Sequence, residues 1–368
     1  MGMKTKTINK NLRAQTKAEM ARISLLPGVN VTEIAPGKVH IGYDFDAHAL
    51  CIENLKKSEV NYVKTLVPCD QRRSLQEKYG ASLDNARKHK LHAILQQTNL
   101  LETQKEYVIA DKSVSGTSIL PQLNMYFDEE KIIHMFHTLD KAIVGINKLD
   151  RLGALVAYQL AANRIGKIVV GIGKSDLVQA EDVGEIFTSQ DVGLPKLEIF
   201  KRHLQERNFD TEITRYCGIG LSFCILNCTF TNMGITAIPL MSQNVPHMFT
   251  LINQVSIEVS NVTVPGKSAC VNCYKNECEK VNSAYKDTVK SFVKETKSMA
   301  KMPSDVALIN NAAGIVTKKV VQHITGIASS DIYTNMEIVK PLNLGIDCVA
   351  TNTSNECGCC ARAKSVNG

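Results

Sequence analysis

The stretch AIVGINKLDRLGALVAYQL, residues 142–160, decides the fold of this chain. An apolar run is followed by apolar residues at helical spacing, which predicts a strand leading directly into a helix. In α/β proteins such a junction holds a nucleotide when closely spaced glycines let the backbone approach phosphate. Here seven residues separate Gly145 from Gly153. Three of these are charged: Lys148, Asp150 and Arg151. The stretch therefore leaves open whether a nucleotide still binds.

Strand and helix patterns alternate on both sides of this junction. The runs KIVVGI at 167–172 and SFCILNC at 222–228 are typical of buried parallel strands, and LPKLEIFKRHLQERN at 194–208 predicts a helix between them. A later stretch, DVALINNAAGIVTKKVVQHI at 305–324, predicts another helix. This alternation predicts an α/β fold with a doubly wound, Rossmann-like parallel sheet.

Composition narrows the classes of partner. The chain has 368 residues, with 44% hydrophobic and 21% charged, as expected for a globular protein of two domains. Trp is absent and aromatic residues make up 5%, which argues against stacking on single-stranded nucleic acid. Residues 1–22 carry six basic side chains and one acidic one, so five of the seven net positive charges lie in this tail. We expect a solvated basic tail on a body that does not bind polyanions.

One segment requires a test for membrane insertion. Residues 216–257 contain no Asp, Glu, Lys or Arg, but Asn, Gln, Ser, Pro and Gly interrupt every apolar run. No apolar 20-mer survives, so the segment predicts core strands and not a membrane span. The N-terminus has no pattern typical of a signal peptide. We expect a cytoplasmic protein without a membrane partner.

A different pattern precedes the α/β region. Short alternating strands around the turn Pro36-Gly37 are followed by three helical stretches, the second at about 72–79 and the third from Leu83. These predict a small winged-helix-like α+β domain. The predicted organisation is a basic tail at 1–22, this domain at 23–105, a linker at 106–134 and the α/β domain at 135–368.

Cysteines are numerous for a chain without a secretory signal. The twelve thiols argue for reduced or metal-binding cysteines and not for a disulfide framework. Six of them stand singly among apolar neighbours and are expected to be small buried side chains. These are Cys51, Cys69, Cys217, Cys224, Cys228 and Cys348.

The other six cysteines form two clusters. CVNCYKNEC contains Cys270, Cys273 and Cys278, and ECGCC contains Cys357, Cys359 and Cys360. Two C-x-x-C pairs, Cys270 with Cys273 and Cys357 with Cys360, supply the four thiolates of a tetrahedral structural zinc site that would tie the C-terminus to the domain. Cys278 and Cys359 are possible substitutes in this ligand set. The alternatives are two unrelated reduced pairs or redox chemistry.

Several of these motifs occur together in a known superfamily. The strand AIVGI, DVGLPK at 191–196, VPGKSACVNC at 264–273 and the terminal CGCC stand in the order seen in the ThiF/MoeB/HesA superfamily, which shares the ubiquitin-activating-enzyme fold. The resemblance covers about 135–362. It is strongest to members that act on ribosomally made peptides, namely MccB-like enzymes and the ThiF-like leader-binding partners of azoline-forming enzymes. Such members carry an N-terminal module that clamps a leader peptide.

The resemblance implies ATP-dependent adenylation, but most of the implied groups are missing. The glycine loop is long and charged, and Gly171 stands where an acid for the ribose is expected, with Asp176 five residues later. Phe230 and Thr231 occupy the positions at which the superfamily carries the motif with its metal-binding carboxylate. Lys196 of DVGLPK matches a nucleotide-contacting position. The sequence therefore predicts a ThiF-type scaffold whose ATP and Mg²⁺ site is degenerate.

The favoured hypothesis is a protein that binds a precursor's leader peptide and presents it to a separate modifying enzyme such as a cyclodehydratase. The peptide would add as a strand to the small N-terminal sheet. The resemblance further implies a homodimer. The predicted edge consists of Val39, His40, Ile41 and Gly42, with Leu91, Ile94 and Leu95 lining a groove.

Two alternatives remain open. In the first, the chain is an active adenylyltransferase acting on a peptide or ubiquitin-like carboxylate, with the cations of the loop and of DVGLPK on the phosphates and Asp176 or Asp150 on the metal. The weak cofactor-binding residues are then Gly145, Lys148, Arg151, Asp176 and Lys196. The second is a winged-helix DNA-binding regulator that uses Arg87, Lys88, His89 and Lys90.

Overall fold

The computed structural model describes residues 24–25, 29–42, 49–67, 79, 83–97, 100–102, 127, 129–171, 176–216, 220–228, 233–252, 256–284, 287, 291, 305–340, 345–354 and 357. The chain divides into two compact units, one formed by Met1–Lys112 with Thr117–Ile133 and the other by Ser113–Gly116 with His134–Gly368. The predicted basic tail, the second predicted helix apart from Tyr79, and most of the predicted linker lie outside the described residues.

The strands and helices have the following bounds. The strands are β1 (Ser24–Leu25), β2 (Asn30–Ala35), β3 (Lys38–Gly42), β4 (Leu50–Ile52), β5 (Leu101–Glu102), β6 (Ile143–Ile146), β7 (Lys167–Val170), β8 (Glu212–Arg215), β9 (Phe223–Cys228), β10 (His247–Ile252), β11 (Ile257–Val259), β12 (Asn335–Val339) and β13 (Ile346–Ala350). The helices are α1 (Lys57–Lys64), α2 (Asn85–Gln97), α3 (Glu129–Lys141), α4 (Arg151–Ala162), α5 (Lys196–Glu206), α6 (Met233–Ser242), α7 (Val271–Val281), α8 (Val306–Thr325) and α9 (Asp331–Thr334).

An eight-stranded sheet organises the second unit. Its order is β13-β12-β11-β10-β9-β6-β7-β8, and the five strands from β10 to β8 run parallel. The chain moves outward from β6 through β7 to β8 and then returns to the other side of β6 with β9 and β10. Strand order therefore reverses between β6 and β9, and ligands of open α/β sheets bind beside such a reversal. The predicted doubly wound parallel sheet is confirmed.

Burial explains the parallel strands. Every residue of β9 is buried, as are three of the four residues in β6 and in β7. Strands covered on both faces need continuous apolar runs. The segment that contains β9 and β10, residues 216–257, supplies such runs and has no Asp, Glu, Lys or Arg. None of the described helices combines the length and apolar character required to cross a bilayer.

An antiparallel extension widens this sheet. Each strand pairs antiparallel with the next one: β10 with β11, β11 with β12, and β12 with β13. In the outermost pair Ile338 lies opposite Asp347. All five residues of β13 are exposed. The extension places the chain after α8 beside the chain before α7, although these segments lie far apart in the sequence.

Helix α8 attaches to this extension through a buried lysine. The helix begins at an Asp305 side chain that accepts a hydrogen bond from the Leu308 amide (3.0 Å). In its second half Lys319, 3% exposed, donates to the carbonyl oxygens of Ser260 and Asn335, each at 2.9 Å, and forms an ion pair with Glu337 of β12. Burial lowers the pKa of Lys319, and the ion pair with Glu337 works against that change. The ammonium therefore joins one helix to two strand ends.

Lys319→Met should lower the free energy of unfolding of the second unit by about 3 kcal/mol, because the half-buried Glu337 and two carbonyl oxygens would lose their cation. The matched control is Lys318→Met, which removes an exposed lysine next to it and should change stability by less than about 0.5 kcal/mol. Urea denaturation followed by circular dichroism compares the two. Equal midpoints for both variants would contradict the structural role of Lys319.

The first unit has a three-stranded antiparallel sheet in the order β2-β3-β4, a short β1–β5 pair and the helices α1 and α2. Its core includes Leu25, Val39, Ile41, Val63 and Leu95. The last residues of the predicted linker, 129–134, belong to α3, which begins at Glu129.

Two predictions for the peptide-binding residues are wrong. β3 is the central strand, paired on one side with β2 and on the other with β4, so its residues cannot form a free edge. Val39, Ile41 and Gly42 are buried there and His40 is half-buried. Leu91 and Leu95 are 3% and 0% exposed and belong to the core, with Ile94 packed beside them. Alternation marked these residues as apolar but did not indicate which strand would be central.

A buried histidine stabilises this unit in its neutral form. The Nε2 atom of His92 on α2 lies 2.9 Å from the Tyr62 hydroxyl of α1. Burial, reinforced by the nearby cations His89 and Lys88, lowers the pKa of His92 to about 4. Since an unfolded histidine titrates near pH 6.5, the unfolded chain binds more protons than the folded one between these values.

We therefore expect the first unit to lose stability as the pH falls from about 6.5 towards 4, by an amount on the order of 3 kcal/mol. His92→Gln should remove most of this pH dependence, while His89→Gln, an exposed neighbour on the same helix, should retain it. Thermal denaturation across this pH range measures the effect. A melting temperature for the native chain that stays constant from pH 7 to 4.5 would show that His92 is not buried in its neutral form.

Candidate functional site

The reversal of strand order creates a crevice at the carboxyl ends of β6 and β7. A cavity of about 370 Å³ opens there, and its lining includes two lysines, two aspartates and a glutamine. These are Lys148, Lys196, Asp150, Asp176 and Gln179. The structure thus brings together three of the five residues predicted for a cofactor site, Lys148, Asp176 and Lys196. The other two do not line the cavity, since Gly145 lies inside β6 and Arg151 is the first residue of α4. The lining carries as many acids as lysines.

Asp150 closes the start of α4. Its Oδ1 accepts hydrogen bonds from the Gly153 amide at 2.9 Å and from the Asn227 side chain at 2.8 Å. Burial raises the pKa of this carboxyl, while the hydrogen bonds from Gly153 and Asn227 lower it. A helix N-terminus offers free amides that phosphates bind in nucleotide sites. Here the protein's own carboxylate accepts one of those amides.

A polar network of Asn147, Asn227 and Thr250 holds the side chain that binds Asp150. The side chain of Asn147 exchanges two hydrogen bonds with the backbone of Asn227, at 2.7 and 3.1 Å. The Asn227 Oδ1 accepts from the Thr250 hydroxyl at 2.8 Å. The network links β6, β9 and β10 at their carboxyl ends, so the amide that binds Asp150 is held in one orientation. Sequence reasoning missed this network, because its members are single polar residues within apolar strands.

Gly153 is required by close packing. A Cβ atom at this position would lie 2.1 Å from the Lys148 carbonyl oxygen and 3.1 Å from the Asn227 amide nitrogen. The glycine therefore allows the loop to fold back over the first turn of α4. Gly145 has a similar packing role, because a Cβ there would meet the Leu221 side chain at 2.8 Å.

Two of the three cations predicted for phosphate form ion pairs inside the protein. The Lys196 ammonium lies 2.8 Å from a carboxylate oxygen of Asp182, which is 3% exposed. Arg151 donates two hydrogen bonds to Glu185, at 2.9 and 3.1 Å. The third cation, Lys148, is exposed at the mouth of the crevice. Phe230 and Thr231, in the expected place of a metal-binding acid, lie outside the described residues.

The cysteine cluster is the second candidate site. The Sγ atoms of Cys270, Cys273 and Cys357 lie within 4.8 Å of one another, and Cys270 and Cys273 are buried. The Cys273 sulfur also accepts a hydrogen bond from the Ser354 amide at 3.3 Å. Three converging thiols can hold a soft metal ion. Cys278 is not among these three, and Cys359 and Cys360 lie outside the described residues.

The isolated cysteines divide into two groups. Cys224 and Cys228 are buried in β9, where burial raises the pKa of the thiols to about 12 and about 11. Cys51 and Cys348 are exposed, so the prediction of burial is wrong for these two. They lie on β4 and β13, strands whose outward faces have no covering layer among the described residues. Cys69 and Cys217 are not described.

The basic residues of α2 are partly committed to contacts within the first unit. Arg87 donates to Glu59 at 2.6 Å, and Lys88 lies 6.0 Å from the centre of the Tyr62 ring. A DNA-reading helix needs free cations for phosphate. These contacts give the DNA-binding hypothesis no support.

Comparison with solved structures reveals the fold. A structure of E. coli MccB with ATP superposes with a TM-score of 0.64 at 17% identity, over 92% of this chain and 99% of that one. The chain has the MccB fold. The microcin C7 biosynthetic enzyme MccB in complex with N-formylated MccA gives a TM-score of 0.64 at 16% identity over the same shares, and PaaA gives 0.63 at 17% identity over 88% of this chain and 98% of that one. No protein-family profile and no curated protein sequence matches this chain.

Metal should co-purify with the protein at about one ion per chain, and Cys273→Ser should abolish it, because three thiolates converge at this place. The variant should also melt at a lower temperature. Cys348→Ser, which removes an exposed thiol of the same unit, should retain the metal. Elemental analysis of both variants checks the expectation, and equal metal content would show that Cys273 is not a ligand.

Proposed function

We propose that this chain binds the leader segment of a ribosomally made precursor peptide and presents it to a separate modifying enzyme, without adenylating the peptide itself. The claim that the chain does not adenylate the peptide depends on one observation, the Asp150 carboxylate at the start of α4. Peptide binding is supported by the MccB fold, since MccB has been solved in complex with N-formylated MccA, and by two strand edges of the first unit that pair with no other strand among the described residues.

Within the part of the crevice that the structure describes, the charges and amides that adenylation needs already have partners in the protein. Phosphoryl chemistry depends on preorganised cations and amides that face the developing charge. The Gly153 amide faces Asp150, and the side chains of Arg151 and Lys196 face Glu185 and Asp182. A nucleotide would have to displace three carboxylates from their hydrogen bonds, and its own negative charge would then lie beside them.

The peptide would bind as an added strand. Among the described residues the sheet of the first unit ends in β2 on one side and in β4 on the other. β2 offers six residues with mostly exposed side chains, including Ile34 at 49% exposure, and β4 offers three with an exposed Cys51. Strand addition satisfies the open backbone groups of an edge and lets alternate side chains select the partner.

The second unit would serve as a rigid platform. We propose zinc as the metal of the cysteine cluster, with Cys360 as the fourth ligand beside Cys270, Cys273 and Cys357. A site with four thiolates leaves no open position, so its role is structural. A homodimer remains part of the proposal, supported by Ile235 and Ile238 on α6, which are 74% and 62% exposed one turn apart.

A second candidate function is an active adenylyltransferase with a rearranged pocket. The MccB structure with ATP and the exposed Lys148 at the mouth of the cavity favour it. In this case Asp176, which also lines the cavity, would hold the metal. The two functions make opposite predictions for nucleotide binding.

Calorimetric titration of the folded, metal-replete protein with Mg-ATP should give no heat of binding up to about 1 mM, because Arg151, Lys196 and the Gly153 amide already have carboxylate partners. Peptides selected from a displayed library should bind the same preparation. Micromolar ATP binding that Lys196→Ala abolishes, but that the control Lys201→Ala elsewhere on α5 retains, would overturn the proposal in favour of the enzyme.

Cysteine alkylation then distinguishes the two edges. A bound strand brings its side chains to within about 5.5 Å of those of its neighbour and should slow modification there. Protection of Cys51 alone would assign the peptide to β4. Protection of an Ile34→Cys residue in a Cys51→Ser background would assign it to β2. If saturating peptide leaves the alkylation rate unchanged at both positions, strand addition is contradicted.

A further inference from the structure

A second cavity, of about 440 Å³, opens at the other end of the central sheet. Ala142, directly before β6, and Ser222, directly before β9, contribute to its lining. Because β6 and β9 run parallel, these two residues mark the amino ends of both strands. The crevice described above lies at the carboxyl ends, and among the described residues the two cavities share no lining residue. The second cavity is therefore a separate place within the second unit.

Four basic side chains line this cavity. His134, His137 and Lys141 follow one another at spacings of three and four residues on α3, so they lie on the same face of the helix. His323, in the last turn of α8, lines the cavity as well. Among the described residues the lining includes no Asp or Glu. These four residues, which we name the basic cluster, therefore have no acid beside them in the described lining.

The basic cluster has donors available for a ligand. The exposed side chains of His134, His137 and Lys141 have no hydrogen-bond or ion-pair partner among the described residues. His323 is half-buried, and its Nδ1 lies 3.1 Å from the Tyr333 hydroxyl. Burial lowers the pKa of His323, so its ring is neutral at pH 7. When the Tyr333 hydroxyl donates to Nδ1, the ring proton lies on Nε2, which then remains available as a donor.

The ends of two helices favour this arrangement. α3 ends at Lys141 and α8 at Thr325, so the cavity lies near two helix C-termini, where positive charge is stabilised. Asp140, the acid next to Lys141 in the sequence, pairs with Arg164 at 3.1 Å. The helix ends thus lower the cost of gathering the basic cluster, but they leave its N–H groups without acceptors. An anion supplies both the acceptors and the opposite charge.

We propose that this cavity binds a phosphate group, with Lys141 and the three histidines of the basic cluster as its donors. A phosphate monoester carries about 1.5 to 2 negative charges and three acceptor oxygens at pH 7, so it can accept from both helices at once. A carboxylate has one charge and two oxygens. The Ser222 hydroxyl accepts from the Ile143 amide at 3.1 Å and retains its own proton for a further bond. The volume lies within the range of small-molecule pockets, about 300–1,000 Å³, and leaves space for an organic substituent.

The test is a titration of the full-length, metal-replete protein at pH 7.0, followed by NMR of the histidine Cε1–H resonances. The probes are glycerol 2-phosphate, inorganic phosphate and acetate. We expect glycerol 2-phosphate to bind with a dissociation constant of about 1 mM or lower, because several charge-assisted hydrogen bonds form, and acetate to bind at least about tenfold more weakly. The resonances that shift should be those that His134→Gln, His137→Gln and His323→Gln remove.

Matched variants separate the basic cluster from general charge. Lys141→Gln should weaken glycerol 2-phosphate by about tenfold, because an ammonium donor to the phosphate is lost. Lys131→Gln removes another exposed lysine of α3, one that does not line the cavity, and should leave the affinity unchanged. His137→Gln should weaken glycerol 2-phosphate by about fivefold, and this variant also serves if Lys141→Gln fails to fold.

Undiminished phosphate binding by folded Lys141→Gln would overturn the proposal, as would acetate binding as tight as that of phosphate or no binding of either phosphate at about 10 mM. Phosphate binding that is lost in Lys148→Gln and kept in Lys141→Gln would assign the phosphate to the crevice and would also overturn it. Tighter binding of glycerol 2-phosphate than of inorganic phosphate would identify an organic phosphate as the ligand class. Binding of inorganic phosphate at least as tight would identify the free ion.

Discussion

The hydrogen bond between the Gly153 amide and the Asp150 carboxylate is the contact on which the central part of the molecule depends. It starts α4 at the end of β6, and α4 packs against α8, where the Thr317 hydroxyl donates to Gln159. The Asn227 side chain binds the same carboxylate oxygen and so ties the helix start to β9. A change at Asp150 would therefore reach the sheet, the helix and the crevice together.

The same contact separates fold from chemistry. A helix that follows the first parallel strand can offer its N-terminal amides to a phosphate or to a residue of the chain. The helix packs against the sheet in the same way in both cases. The MccB fold at 17% identity therefore does not decide whether a nucleotide binds. Here the Gly153 amide, Arg151 and Lys196 have carboxylates of the protein itself as partners.

Distant segments are joined by a few polar contacts in the outer half of the sheet. Lys319 ties α8 to β12, and the thiols of Cys270, Cys273 and Cys357 bring the chain after β13 back to α7. A buried ion pair and a set of convergent thiols are costly to leave incomplete, so each specifies one arrangement of the elements around it.

The sequence by itself determined the local elements: the strand and helix of residues 142–160, the parallel sheet, helix α8 and the meeting of the cysteine pair at 270 and 273 with Cys357. These follow from periodicity and spacing, which each segment carries without reference to the others. Tertiary structure alone decided that β3 is a central strand, that Asp150 caps α4, that Cys51 and Cys348 are exposed, and that His323 lines one cavity with the basic residues of α3. The reason is that strand neighbours, hydrogen-bond partners and burial depend on contacts between segments far apart in the chain, and the pattern of one segment does not encode them.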